Sequence, residues 1–285
     1  IMGSLSDCLL VNNPSSLRSL LNSFVIFNTV PIETYELYID NFNLFVTDET
    51  EMSGLFTVRN SVSDYLSEVQ SEDSAAFLEA SLMLLSDQSV SGNWRNKESL
   101  LSMLESLFLN EDDNTTLPGN ISFEAVLESL LSHSSNSNEN PMVIARSVLV
   151  LAKYLEKFGQ NVSNFNELSY KALTSNLSTA ANIKNSDVIK ADGIANDANF
   201  DKESNDCIKI IQSDALISLT YFNSFLKFDD KSLNVQIQHV IHQIMHFLVD
   251  EAEEDTPAAL LESSTVSTNI DLKGYQAGTD DITLI

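Results

Sequence analysis

The sequence predicts a mainly α-helical fold, and two observations carry that prediction. Apolar residues recur at helical spacing through the middle of the chain, with Phe123, Val126, Leu127, Leu130 and Leu131 sharing one face. Cap chemistry brackets a second segment, Pro141–Phe158. Asn140 suits the N-cap, Pro141 the first helical position and Gly159 a left-handed stop. With 285 residues, 43% of them hydrophobic and 20% charged, the chain is long and apolar enough to bury a sizeable core. Minor β structure is expected at the N-terminal third and in the C-terminal tail.

From the N-terminus, residues 1–94 form an acidic, aromatic-richer region. Segments 24–30 and 35–46 carry aromatic and β-branched residues, so strands compete with helices there. Residues 95–180 read as a helical region. It opens with a helix over 98–109 and continues, past a loop at 111–120 that holds a Pro-Gly pair, into the periodic run from Phe123. After Gly159, Asn164 and Glu167 form a capping-box-like pair ahead of an apolar run reaching Leu177.

From 181 to 205 the sequence turns Asn-, Asp- and Lys-rich with weak periodicity, which predicts a linker or long loop. Residues 206–263 then read as a helical hairpin, 206–228 and 233–250, joined by Asp229-Asp230-Lys231-Ser232. Thr256-Pro257 would open a short last helix. Residues 264–285 read as an extended tail, with 266–272 and 282–285 placed to pair around Gly274 and Gly278.

Three segments share a loose pattern: Ser15-Ser16-Leu17-Arg18-Ser19-Leu20-Leu21, Glu98-Ser99-Leu100-Leu101-Ser102-Met103-Leu104 and Glu124-Ala125-Val126-Leu127-Glu128-Ser129-Leu130. A HEAT/armadillo-like helical stack produces such recurrences, because each hairpin buries its apolar face only against its neighbours. The spacing is irregular, and Leu/Ser-rich amphipathic helices resemble one another in any case. An irregular multi-helix bundle is therefore the alternative architecture.

Charge is the most unusual global feature: 15 Lys+Arg against 41 Asp+Glu leave a net charge of -26. Such a field repels phosphate backbones and anionic headgroups, which argues against nucleic acid or a membrane surface as the main partner and for a protein partner with a basic surface. Solubility alone is the plainer explanation of the same acidity. Before Trp94 the basic residues are Arg18 and Arg59, facing 13 acids from Asp7 to Asp87, so a basic partner would meet the N-terminal third first.

No run approaches the ~18–20 apolar residues of a spanning helix, so membrane insertion is not expected. Cys8 and Cys207 lie far apart and define no disulfide framework; they either bridge the two halves of the chain or stay as small buried hydrophobes. Asn-x-Ser/Thr triplets at Asn114, Asn120, Asn161 and Asn176 carry little information in a chain with 27 Asn and 54 Ser plus Thr.

The sharpest local feature is a stripe of histidines. His239, His242 and His246 fall at i, i+3 and i+7 of one expected helix, with Asp250 and Glu253 continuing their line, opposite an apolar face that includes Leu233, Ile237, Val240, Ile241 and Ile244. The stripe reads as a pH-sensing or interaction surface, since nearby acids favour the charged imidazole, and it would then gate self-association of acidic helices. A solvated polar face is the bland alternative. Zinc would need further ligands that the spacing does not supply, so no metal site is assigned.

Trp94 with Arg95 could anchor an interface or pack a domain junction. Gly-rich phosphate loops, G-x-S-x-G and C-x-x-C are absent from the sequence, and carboxylate pairs such as Glu72-Asp73 and Asp112-Asp113 are expected in so acidic a chain. No catalytic residue and no cofactor are expected. The reading is a non-enzymatic α-helical interaction or scaffold module that uses an acidic surface. A self-assembling structural protein with histidine-dependent pH gating is the alternative, and a metal-dependent hydrolase the third.

Overall fold

A computed structural model describes residues 13–40, 57–109, 121–159, 165–182 and 204–222, apart from 70 and 137, together with residues 44, 45, 48, 117, 235 and 238. Ten helices lie among the described residues. In chain order they are α1 Pro14–Phe27, α2 Ile32–Asp40, α3 Val58–Ser67, α4 Ser71–Ser86, α5 Gln88–Ser91, α6 Trp94–Phe108, α7 Phe123–Ser134, α8 Pro141–Phe158, α9 Phe165–Asn182 and α10 Ser204–Phe222.

Short polar side chains start these helices by accepting backbone N–H groups that the first turn leaves without a partner. Asn13 accepts from Ser15 N at 3.2 Å ahead of α1, Thr57 Oγ1 from Asn60 N at 3.0 Å ahead of α3 and Ser122 Oγ from Ala125 N at 3.3 Å ahead of α7. Asn93 Oδ1 accepts from Arg95 N at 2.9 Å, which starts α6 a turn before the segment 98–109 expected from apolar spacing. Asn140 Oδ1 accepts from Met142 N at 2.9 Å, and α8 spans the expected Pro141–Phe158.

The architecture is a HEAT-like stack of helical hairpins. α4 packs on α6, α7 on α8 and α9 on α10, while α1 packs on α3 at the N-terminal end. The second helices of these pairs form one continuous row, with α3 on α6, α6 on α8 and α8 on α10. In this row α3, α6 and α8 run parallel. Glu98 of α6 meets Arg146 of α8, and two turns further along both helices Glu105 meets Lys153. In the same sense Arg59 of α3 meets Glu98, and Ser63 meets Ser106.

The core follows the row. From Glu98 to Phe108 every residue of α6 is buried, and in α8 only Glu156 and Lys157 are not. One apolar cluster runs from Leu17 through Leu66, Leu104, Val148 and Leu173 to Ile211. An aromatic knot closes the C-terminal ends of α6 and α8: Tyr154 stacks on Phe123 at 5.1 Å between centroids, and Phe108 and Phe158 pack on it at 5.5 and 5.3 Å.

Two expectations are corrected. The minor β structure is not supported, because no strand occurs among the described residues and segments 24–30 and 35–46 contribute to α1 and α2. Helical spacing overrides β propensity here. Val25 is buried beside exposed Ile26 and Phe27, and Tyr35 and Tyr38, one turn apart, are both buried. Gly159 ends α8 in the right-handed region, at φ -75° and ψ -24°, with its N–H bonded to Leu155 O, so Gly159 is not the left-handed stop expected of it. The connection from 183 to 203, the segment 233–250 apart from residues 235 and 238, the helix expected at Thr256-Pro257 and the tail 264–285 lie outside the described residues.

Candidate interaction surface

A ladder of charged side chains threads the inner row. Arg59 of α3 grips Glu98 with both guanidinium nitrogens, Nη1 to Oε2 at 2.9 Å and Nη2 to Oε1 at 2.5 Å, and Nη1 also donates to the Asn28 carbonyl at 2.6 Å. Arg146 of α8 donates from Nε to Glu98 Oε1 at 3.2 Å and from Nη1 to Glu105 Oε2 at 2.5 Å. Lys153 Nζ donates to Glu105 Oε1 at 2.6 Å and lies 5.1 Å over the ring of Tyr221 in α10. The ladder therefore touches all four inner helices.

Burial makes these pairs consequential. Burial alone pushes the Glu105 carboxyl up, but Lys153 and Arg146 overcome it and hold the group down at about 2. Burial likewise opposes the charge on Lys153, and Glu105 together with Tyr221 outweighs it, so the ammonium is held above its ordinary value. Next to the ladder, burial pushes the phenol of Tyr221 up and keeps it neutral.

Sequence spacing holds a signal for this ladder. Glu98 and Glu105, and Arg146 and Lys153, recur at the same two-turn interval within otherwise apolar faces. That is where a charge needs a buried partner.

The outer surface has the opposite balance. Among the described residues Glu33, Glu36, Asp64, Glu68, Glu124, Glu128 and Glu167 are exposed, while the exposed cations are Arg18 and Lys171. Arg18 is itself paired with Asp87. Arg146, Lys153 and Lys209 are buried, and Lys97 is half-buried with Nζ 2.7 Å from Glu139. Among the described residues, exposed carboxylates thus outnumber exposed cations, although Glu98 and Glu105 are buried with their partners.

Trp94 and Arg95 sit at the start of α6, both half-buried. The Trp94 ring packs on Tyr35 at 4.9 Å between centroids, and Arg95 Nε donates to Val30 O at 2.8 Å. His239, His242, His246, Asp250 and Glu253 lie outside the described residues. The fourth histidine, His133, is half-buried, and burial together with nearby Lys97 pushes it below its ordinary value against the pull of Glu139. Among the described residues no three His, Cys, Asp or Glu side chains gather as a metal site would require, and no helix is long and apolar enough to cross a membrane. Asn176 is fully buried and donates to Val148 O at 3.3 Å, so that Asn-x-Ser triplet is a packing element, not a surface acceptor.

The profile of the importin-9 central HEAT repeats matches residues 11–268. The chain belongs to this family. It is also similar to importin subunit beta-5 of Saccharomyces cerevisiae (strain ATCC 204508 / S288c), at 23% identity over 269 residues. The alignment covers 93% of the chain but 24% of that relative, so the chain spans about a quarter of the relative's length. An importin-9-type HEAT segment is a helical scaffold for protein interaction and is not an enzyme. The charge ladder is internal to the stack.

Proposed function

We propose that this HEAT segment docks a protein with a basic surface, as one part of a transport receptor of the importin type. The observation that carries the reading is the segregation of charge. Buried and half-buried Arg and Lys side chains are engaged within the stack, which leaves the described surface with more exposed carboxylates than cations. An acidic field of this kind raises the encounter rate with a basic partner and discriminates against acidic ones. The similarity to importin subunit beta-5 supports a protein, not a small molecule, as the thing bound.

The test is titration of the whole chain with a Lys/Arg-rich helical peptide and with its Glu-substituted counterpart, by calorimetry at low and at high salt. The expected result is binding of the basic peptide alone, weakened steeply by salt. Equal binding of both peptides, or none at low salt, would overturn the reading.

A further inference from the structure

The connection between α1 and α3 carries a helix of its own. It runs from residue 28 to residue 57 and holds α2, a nine-residue helix that belongs to neither layer of the stack. Its described contacts reach every later hairpin. Just before α2, the carbonyl of Val30 accepts from Arg95 Nε at 2.8 Å, at the start of α6. Tyr35 of α2 packs its ring on Trp94 of α6, and its hydroxyl accepts from Asn140 Nδ2, the N-cap of α8, at 3.5 Å. α2 also packs on α10.

Two physical facts give this arrangement a consequence. In a repeat stack each unit touches its neighbours, so the distance between the first and fourth hairpins is normally set by small neighbour-to-neighbour angles that add up. A nine-residue helix is also too short to persist by itself in water, so α2 owes its order to the row that it crosses. Its faces fit that role: Tyr35 and Tyr38 are 2% and 9% exposed, whereas Ile32 and Leu37, beside exposed Glu33 and Glu36, are 42% and 51% exposed.

We propose that α2 is a clasp: seated on Trp94, Arg95 and Asn140 and packed on α10, it ties the first hairpin to the fourth and holds the stack closed along the N-terminal ends of its inner helices. Releasing α2 uncovers those ends and lets the terminal hairpins move apart. The clasp turns a chain of neighbour contacts into one unit with a long-range tie.

The experiment combines small-angle X-ray scattering with amide hydrogen exchange on the whole chain, comparing the wild type with Tyr35→Ala, Arg95→Met and Leu37→Ala. Arg95→Met keeps an unbranched apolar stem as far as the Nε position but cannot donate to Val30 O, and Leu37→Ala changes the exposed face of α2. The expected result for Tyr35→Ala and Arg95→Met is exchange of the α2 amides about tenfold faster, with a larger radius of gyration and unchanged protection in α7. Leu37→Ala should leave both readings as in the wild type. Loss of α2 protection with no change in radius would overturn the clasp, as would free exchange of α2 in the wild type. If Tyr35→Ala unfolds the whole chain, Arg95→Met decides between the same two outcomes.

Discussion

Arg146 and Glu105 meet across the boundary between α6 and α8, Nη1 to Oε2 at 2.5 Å, with both side chains buried. This contact joins two successive hairpins through a charge pair where apolar packing would be expected. Lys153 shares the same carboxylate. A buried pair of this kind returns little net stability relative to a well-packed apolar substitute, yet removing one partner strands the other in a low-dielectric interior.

The first prediction follows from that asymmetry. Glu105→Leu removes the carboxylate that Arg146 and Lys153 share and should cost about 3–5 kcal/mol in urea unfolding. Adding Lys153→Met to it should recover part of the loss, because one of the stranded charges goes with it. A double variant as unstable as the sum of the two single ones would show that the pair does not couple.

The second prediction concerns pH. Glu105 is held at about 2 in the folded chain against an ordinary 4.5, so the native state binds this proton more weakly than the unfolded chain does. Its contribution is present above the unfolded value and is lost as pH falls from 4.5 through about 2. Lys153 has the opposite sign: its folded value is raised above the ordinary 10.5, so its contribution is present below 10.5 and is lost as pH rises through the higher folded value. Unfolding free energies from urea titrations, followed from neutral pH down to the acid limb, should fall more steeply for the wild type than for Glu105→Gln, by about 3 kcal/mol across that window. Parallel curves would place the acid sensitivity elsewhere.

The N-terminal cap and first position of α8 were legible because their chemistry is local: Asn140 and Pro141 act within one turn of the residues they follow or precede. The stack itself was legible only as one of two architectures. Leu/Ser periodicity says which face is buried, not what covers it. The false strand signal at 24–30 and 35–46 came from aromatic and β-branched content, which reports fit to a half-buried surface and not the backbone that carries it. Phe24 fits Tyr65, with ring centroids 5.6 Å apart, from a helix as well as it would from a strand.

The ladder and the seat of α2 were not read from the sequence, because each needs residues far apart in the chain. Arg59, Glu98 and Arg146 converge only once three hairpins are stacked, and Tyr35 and Asn140 are 105 positions apart. Trp94 was singled out as a residue with two readings. Its ring packs on Tyr35, and no spacing rule links those two residues.

The third prediction tests the cap that legibility rested on. Asn140 is 3% exposed, accepts Met142 N through Oδ1 at 2.9 Å and donates through Nδ2 toward the Tyr35 hydroxyl. Asn140→Ala removes both functions and should destabilise the chain by about 1–2 kcal/mol. Asn140→Ser keeps a capping oxygen and should lose only a fraction of that in the same urea titration. Equal losses for the two variants would mean that the amide's reach to Tyr35, and not the cap, carries the stability at this position.

The fourth prediction separates surface charge from stability. Glu124 and Glu128 lie one turn apart on the exposed side of α7, while Phe123, Val126 and Leu127 on the other side enter the core. Changing both acids to Lys alters no buried side chain but removes the acceptor of Ser122 Oγ and puts a cation in the first turn of α7, so stability to urea should fall by no more than about 1 kcal/mol. Binding of the Lys/Arg-rich peptide is a different matter, because reversing two charges weakens the field that attracts it. The affinity at low salt should fall, and the slope of log affinity against log salt should flatten. The matched reversal at Glu33 and Glu36 on α2 locates the contact: a larger loss there than on α7 puts the peptide over the clasp, and a larger loss on α7 puts it on the outer layer of the stack. If neither pair changes the affinity, the described carboxylates on these two helices do not form the docking surface.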